Sequence, residues 1–325
     1  MASSFVKLSV ALTCLLLLSS TCHGSHGPNV GHYKKTCPNA EAIVRDSVKS
    51  SVYKDAGVGA GLIRLLFHDC FVQGCDGSVL LDPSPSNPQP EKLSAPNFRS
   101  LRGFEAVDAA KAAVERACPG VVSCADVVAF AARDAAYFLS GLRVKADMPG
   151  GRLDGRVSRS DEAARDLPPA SANLAQLVSN FAAKGLGEED MVVLSGAHSV
   201  GASHCSSFVP GGRLEGPGRS DMDAGLAAVL KKQCAPGQNP LVPQDAVSPN
   251  ALDSQYYRNV LAHKVLLPSD AALLAAPATE KMVRDNAYVP GKWEGKFAEA
   301  LVKMAAIGVK TGQQGEIRKN CRVVN

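Results

Sequence analysis

The sequence predicts a mainly α-helical fold. Three observations carry that expectation: apolar residues recur at helical spacing in successive segments, Pro- and Gly-rich stretches separate those segments, and alternating apolar and polar runs are almost absent. With 46% hydrophobic residues in a chain of 325, there is enough apolar surface for a substantial core.

In chain order, Lys7 is followed by LSVALTCLLLLSS and then by small residues around Cys22 and Gly24. A basic start, an apolar stretch too short to span a membrane and a small-residue end read as a secretory signal peptide over residues 1–24. No clean linker follows, so residues 25–325 are expected to form one domain from two interleaved halves. After TCPNA, with Pro38 suited to a first helical turn, Val44, Val48 and Val52 line one helix face. In RLLFHDC, Arg64, Phe67 and His68 share a face at three- and four-residue spacing, while Asp69 points elsewhere. GFEAVDAAKAAVERACPG places Phe104, Val107, Ala110 and Val114 on one side and stops at Pro119 and Gly120. SCADVVAFAARDAAYF continues from a Ser123 cap. Further helices are expected at 173–184, 187–194, 222–233, 255–263, 279–287 and 293–307, and 82–100, 140–172 and 209–220 read as loops.

Composition excludes several classes. The formal charge of +4 is spread over mixed Lys, Arg, Asp and Glu, so no basic stripe points to nucleic acid. Mild basicity fits a weak association with acidic polysaccharide. No later segment approaches the roughly 18 apolar residues of a membrane span. Removing Cys14 and Cys22 from the ten cysteines leaves an even set, which export would favour pairing. Spacing alone does not choose among the more than one hundred connectivities open to such a set.

Two stretches concentrate chemistry. RLLFHDCFVQGCDGS, residues 64–78, sets a cation, an apolar wall and a potential base against the hard oxygens of Asp69, Asp76 and Ser78, in a loop that Cys70 and Cys75 could close. The alternative reading is a zinc site built from His68, Cys70 and Cys75. VVLSGAHSVGASHC, residues 192–205, offers His198; Ser195 has Val193 rather than Gly two residues before it, which argues against a hydrolase nucleophile elbow.

RLLFHDCF, SCAD, LSGAHS and a terminal NCRVVN, on a chain read from YKKTCPNA at Tyr33 to Asn325, resemble the class III secretory plant peroxidases of the plant haem peroxidase superfamily. The resemblance implies a haem peroxidase fold with one non-covalent haem b between a distal and a proximal helix, His198 being the axial iron ligand and Asp270 its proximal support. His68 would be the proton acceptor, Arg64 the transition-state stabiliser, Asn97 the partner of His68 Nδ1 and Pro168 the holder of the donor. Two Ca2+ ions are implied, the first at Asp69, Val72, Gly74, Asp76 and Ser78 with Glu91 linked to it, the second at Ser199, Asp245, Ser248, Ala251 and Asp253. The implied disulfides join Cys37 with Cys118, Cys70 with Cys75, Cys124 with Cys321 and Cys205 with Cys234.

The implied activity reduces hydrogen peroxide while oxidising phenolic donors in one-electron steps, with family roles in cell-wall cross-linking, lignification and oxidative stress. The protein is expected to be a monomer, secreted to the extracellular space or cell wall; the sequence printed here shows no long extension of the vacuolar-sorting kind after CRVVN. A non-catalytic calcium-stabilised wall protein and a secreted zinc hydrolase are the alternatives, and the joint presence of Arg64, His68, Asn97, His198 and Asp270 favours the peroxidase. The chain departs from the family pattern at Ala146, where Trp is common, at Leu153, where Arg is, and in lacking any N-x-[ST] sequon. Ser171 and Ser207 lie where some relatives carry aromatics around the donor.

Overall fold

The computed structural model describes residues 27–210, 212–215 and 220–325. The expected signal peptide, residues 1–24 with Cys14 and Cys22, lies outside the described residues.

Valines four residues apart account for the first helix. Val44, Val48 and Val52 are buried along one side of α1 (Ala40–Lys54). Pro38 falls outside the helix, because Asn39 is the N-cap, so the expected first-turn proline is corrected to a position before the cap. The chain turns at Asp55, whose carboxylate accepts the Gly57 N–H at 2.8 Å and opens α2 (Ala56–Cys70). Gly61 lets α2 approach the following segment, since a Cβ there would stand 2.7 Å from the Arg102 carbonyl oxygen. α3 (Phe104–Ala117) and α4 (Cys124–Leu139) follow, α4 capped by Ser123 Oγ on the Asp126 N–H at 3.1 Å. α2 packs on α4, and α1 packs on both α3 and α4, giving one helical half of the molecule.

The second half comprises α5 (Ser160–Asp166), α6 (Leu174–Ala183), α7 (Glu188–Ser195), α8 (Ala224–Gln233), α9 (Gln255–Leu261), α10 (Pro268–Ala271), α11 (Pro277–Tyr288) and α12 (Lys292–Met304). α9 packs on α11, and α7 packs on α12. Two short strands, β1 (Ala202–His204) and β2 (Leu241–Pro243), pair antiparallel with Ser203 opposite Val242. A large apolar cluster draws on both halves, from Leu62 and Leu65 on α2 to Val192 on α7 and Trp293 on α12. A smaller one, around Phe208, Leu230 and Val242, covers the β1–β2 side.

Three expectations about the connections change. The stretch 140–172 contains α5, and 82–100 contains a single 3-10 turn at Glu91–Leu93, so neither is loop throughout. The helix expected to reach residue 307 ends at Met304, with Ala305 as its cap. Leu267 is the N-cap of α10, and Pro268, with its fixed φ, starts the turn that carries Asp270. That leaves the Asp270 side chain available to another element.

Candidate active site

α2 sets Arg64 and His68 one turn apart. Along its last turns the helix is buried except at Arg64 and Phe67, which are half-buried and share the His68 face. Arg64 Nε donates to His68 Nε2 at 3.1 Å. The rest of the guanidinium is fixed by the loop beyond: Nη1 donates to the Ser100 carbonyl at 2.9 Å, and Nη2 to the Pro96 carbonyl at 3.1 Å and to Ser100 Oγ at 3.2 Å. Behind the imidazole, Nδ1 lies 2.6 Å from Asn97 Oδ1. Asn97 Nδ2 donates to the Glu91 carbonyl at 2.8 Å, which turns the amide oxygen toward His68. An oxygen can only accept, so Nδ1 carries the proton and Nε2 presents a lone pair. Burial holds the His68 pKa well below the ordinary imidazole range, and the Arg64 charge adds to that effect while Asn97 opposes it. Burial also brings Arg64 down to about 10, which leaves it a cation at neutral pH.

His198 stands in a one-turn 3-10 helix, Gly196–Ser199, that continues from α7. The proximal α-helix therefore ends at Ser195, three residues before the histidine. The α7 carbonyls at this end are satisfied from the side: the Tyr257 hydroxyl lies 2.9 Å from the Val192 oxygen and 3.0 Å from that of Val193, and Trp293 Nε1 donates to Val193 at 3.1 Å. His198 Nδ1 lies 2.8 Å from Asp270 Oδ1, and the Tyr256 hydroxyl donates to the same oxygen at 2.8 Å. Burial pulls the His198 pKa down, the Asp270 charge and hydrogen bond outweigh it, and the net displacement is upward. The His198 side chain is 40% exposed, and it lies within the field of Arg64. The His198 turn packs on α2, so one open imidazole stands near the helix that carries Arg64 and His68. The donor set fits a flat aromatic macrocycle carrying a metal: one imidazole has its Nδ1 tied to a buried carboxylate, and the other keeps an unprotonated Nε2.

The opposite face of α2 leads into a polar cluster. Asp69 is fully buried and accepts the N–H groups of Gly77 at 2.9 Å and Val79 at 3.4 Å. Asp76 Oδ1 accepts the Ser78 N–H at 3.0 Å, and Lys310 Nζ stands 2.9 Å from its other oxygen. Glu91, buried beside them, takes the Ser158 hydroxyl at 3.3 Å. Burial first, and Asp76 second, push Asp69 up to about 8, and burial with Asp69 raises Glu91. Ser78 Oγ and Glu91 Oε2 are buried without a hydrogen-bond partner. Orphaned hard oxygens among buried carboxylates fit a calcium ion, completed by main-chain carbonyls such as those of Val72 and Gly74 in the same loop. Among the described residues no three His, Cys, Asp or Glu side chains form a metal cage by themselves. A zinc site at His68, Cys70 and Cys75 is overturned, because Cys70 and Cys75 are joined in a disulfide.

Directly after His198, Ser199 Oγ accepts the Asp253 N–H at 3.2 Å. Ser248 Oγ lies 3.4 Å from Asp245 Oδ2 and 3.3 Å from Asp253 Oδ1, with Ala251 in the intervening turn. Burial raises the Asp253 pKa. Pro168 is half-buried in the turn after α5; two residues on, the Ala170 carbonyl accepts the Ser269 N–H at 3.0 Å, tying that turn to α10 and Asp270. Ser171 and Ser207 are exposed. Disulfides join Cys37 to Cys118, Cys124 to Cys321 and Cys205 to Cys234.

Sequence reasoning missed Ser100 and the Pro96 carbonyl as holders of Arg64, Ser158 beside Glu91, Lys310 on Asp76 and Tyr256 on Asp270. Each is remote in sequence from its partner, and QYYRNVL reads as ordinary helix core. A family model for peroxidase matches residues 44–288. Peroxidase 2 of Zea mays is 57% identical over 321 residues, covering 97% of this chain and 95% of its own length. Peroxidase 5 of Vitis vinifera is 49% identical, covering 91% of each chain. A lignin-forming anionic peroxidase of Nicotiana sylvestris is 41% identical, covering 99% of this chain and 98% of its own. With most of the chain matched by the family model and nearly all of it by these relatives, the protein belongs to the peroxidase family and, within it, to the class III plant peroxidases.

Proposed function

We propose that this peroxidase is a secreted, monomeric, single-domain enzyme that binds one haem b non-covalently and two calcium ions, reduces hydrogen peroxide to water and oxidises phenolic donors. The observation that carries the proposal is the pair of oriented imidazoles, His68 backed by Asn97 and His198 backed by Asp270. Plant peroxidases typically bind haem, and here His198 Nε2 would hold the iron. Haem, when bound, would supply the redox chemistry that takes up the two oxidising equivalents of peroxide. His68 Nε2 accepts a proton from peroxide, in the place where Arg64 Nε–H now donates, and returns it to the departing oxygen so that water leaves. Arg64 stabilises the negative charge that develops on that oxygen. Asp270 gives His198 anionic character and fixes its orientation.

Two donors then each lose an electron and a proton, held near the Pro168 turn. Asp69, Val72, Gly74, Asp76, Ser78 and Glu91 would hold or support one calcium, and Ser199, Asp245, Ser248, Ala251 and Asp253 the other. Cell-wall phenolic coupling is the role suggested by the lignin-forming relative, with oxidative stress response beside it. Class III peroxidases are generally secreted, which supports an extracellular or cell-wall location and weak binding to acidic polysaccharide. No helix among the described residues is long and apolar enough to cross a membrane.

The test is an absorption spectrum of protein supplied with hemin. A Soret band that shifts on peroxide addition and recovers with guaiacol is expected. His68→Leu should keep the band and slow peroxide reduction by roughly 10²–10⁴-fold. A folded preparation that takes up no hemin overturns the proposal.

A further inference from the structure

Asp270 Oδ1 is shared. It is 2.8 Å from His198 Nδ1 and 2.8 Å from the Tyr256 hydroxyl, and both Asp270 and Tyr256 are buried. Tyr256 is 2% exposed, its ring meets that of His198 edge to face at 6.3 Å, and its hydroxyl is directed at the carboxylate. The neighbouring Tyr257 is as deeply buried but serves a different purpose, bonding the Val192 and Val193 carbonyls at the end of α7. Two adjacent tyrosines thus separate a backbone task from a carboxylate task.

We infer that Tyr256 is a positioning residue that tunes the proximal ligand, by competing with His198 for the negative charge on Asp270 Oδ1. A carboxylate oxygen that accepts one hydrogen bond concentrates its charge on that donor, and one that accepts two divides it. The Tyr256 phenol therefore weakens the pull of Asp270 on the Nδ1 proton. His198 stays closer to neutral imidazole and gives less electron density to a metal at Nε2. The consequence is a higher reduction potential than a carboxylate bonded to His198 alone would produce. This inference rests on the reading of His198 as the haem ligand.

The experiment uses the hemin-loaded, full-length protein. Tyr256→Phe keeps the ring against His198 and removes the competing donor. The expected result is a more negative Fe3+/Fe2+ midpoint potential together with a higher iron–histidine stretching frequency in the resonance Raman spectrum of the ferrous form. Loosened packing would lengthen the His198–Asp270 bond and move both readouts the other way, so any other combination overturns the inference. Tyr257→Phe, an equally buried change, should not reproduce the paired shift; if it does, packing is the cause and the inference fails. 3-Fluorotyrosine at position 256, a stronger donor of nearly the same size, should move both readouts opposite to Tyr256→Phe, and it decides the matter if the Phe variant does not fold. Absence of an iron–histidine band in the unaltered protein would instead remove the His198 reading, and this inference with it.

Discussion

Arg64 controls the working range of His68 as well as the charge beside it. Burial and the nearby guanidinium both act against the imidazolium, so His68 remains an unprotonated base far below the usual histidine pKa of about 6.5. Peroxide reduction by the loaded enzyme should therefore keep its rate well into acid. Removing the guanidinium removes the second cause, which makes protonation easier and raises the pKa. Arg64→Leu should both lower the rate and move the acid limb of its pH profile upward, as stopped-flow measurement would read; an unmoved acid limb would show that Arg64 is not setting it. The residue pattern made these two side chains legible, because three- and four-residue spacing in an apolar run places them together. It did not show that Ser100 and Pro96 restrain Arg64, since those contacts depend on how a loop more than thirty residues away folds back.

Among the elements, the junction of α7 with the His198 turn has little room. A Cβ at Gly196 would lie 2.6 Å from Trp293 Nε1 and 2.7 Å from the Tyr257 hydroxyl, two groups bonded to the α7 carbonyls. Neither ring has space to withdraw, as both are fully buried. Gly196→Ala should cost about 1–3 kcal/mol of stability by overpacking and weaken hemin retention, because the displaced segment carries His198. Denaturant titration and hemin transfer to apomyoglobin check the two halves of that expectation. Most of the helices could be read from apolar periodicity, α1 from its valines and α4 from its serine cap. α5 could not, because SDEAARD buries only Ala163 and carries almost no apolar stripe. β1 and β2 were equally illegible, being three residues long and defined by each other.

At the scale of the whole molecule, the buried carboxylates beside α2 link stability to pH. In chelated protein Asp69 has a pKa of about 8, above the roughly 3.9 of an unfolded chain, so its contribution is favourable in acid and is lost as pH rises through about 8. A calcium ion would compensate that charge. The gap in melting temperature between calcium-loaded and chelated protein should therefore widen from acid toward pH 8, and calorimetry showing a constant gap would exclude Asp69 as a ligand. The disulfides add an order in time. Cys70 and Cys75 are 5 residues apart, Cys205 and Cys234 are 29, Cys37 and Cys118 are 81, and Cys124 and Cys321 are 197. A chain emerging N-terminus first at about 5–20 residues per second would leave the Cys124 thiol without its mate for roughly 10–40 s. During that interval Cys118 is a rival only six positions away on the chain. Maturation of this protein thus calls for an oxidising folding environment able to reshuffle early mispairings, since its longest covalent closure is the last that synthesis permits.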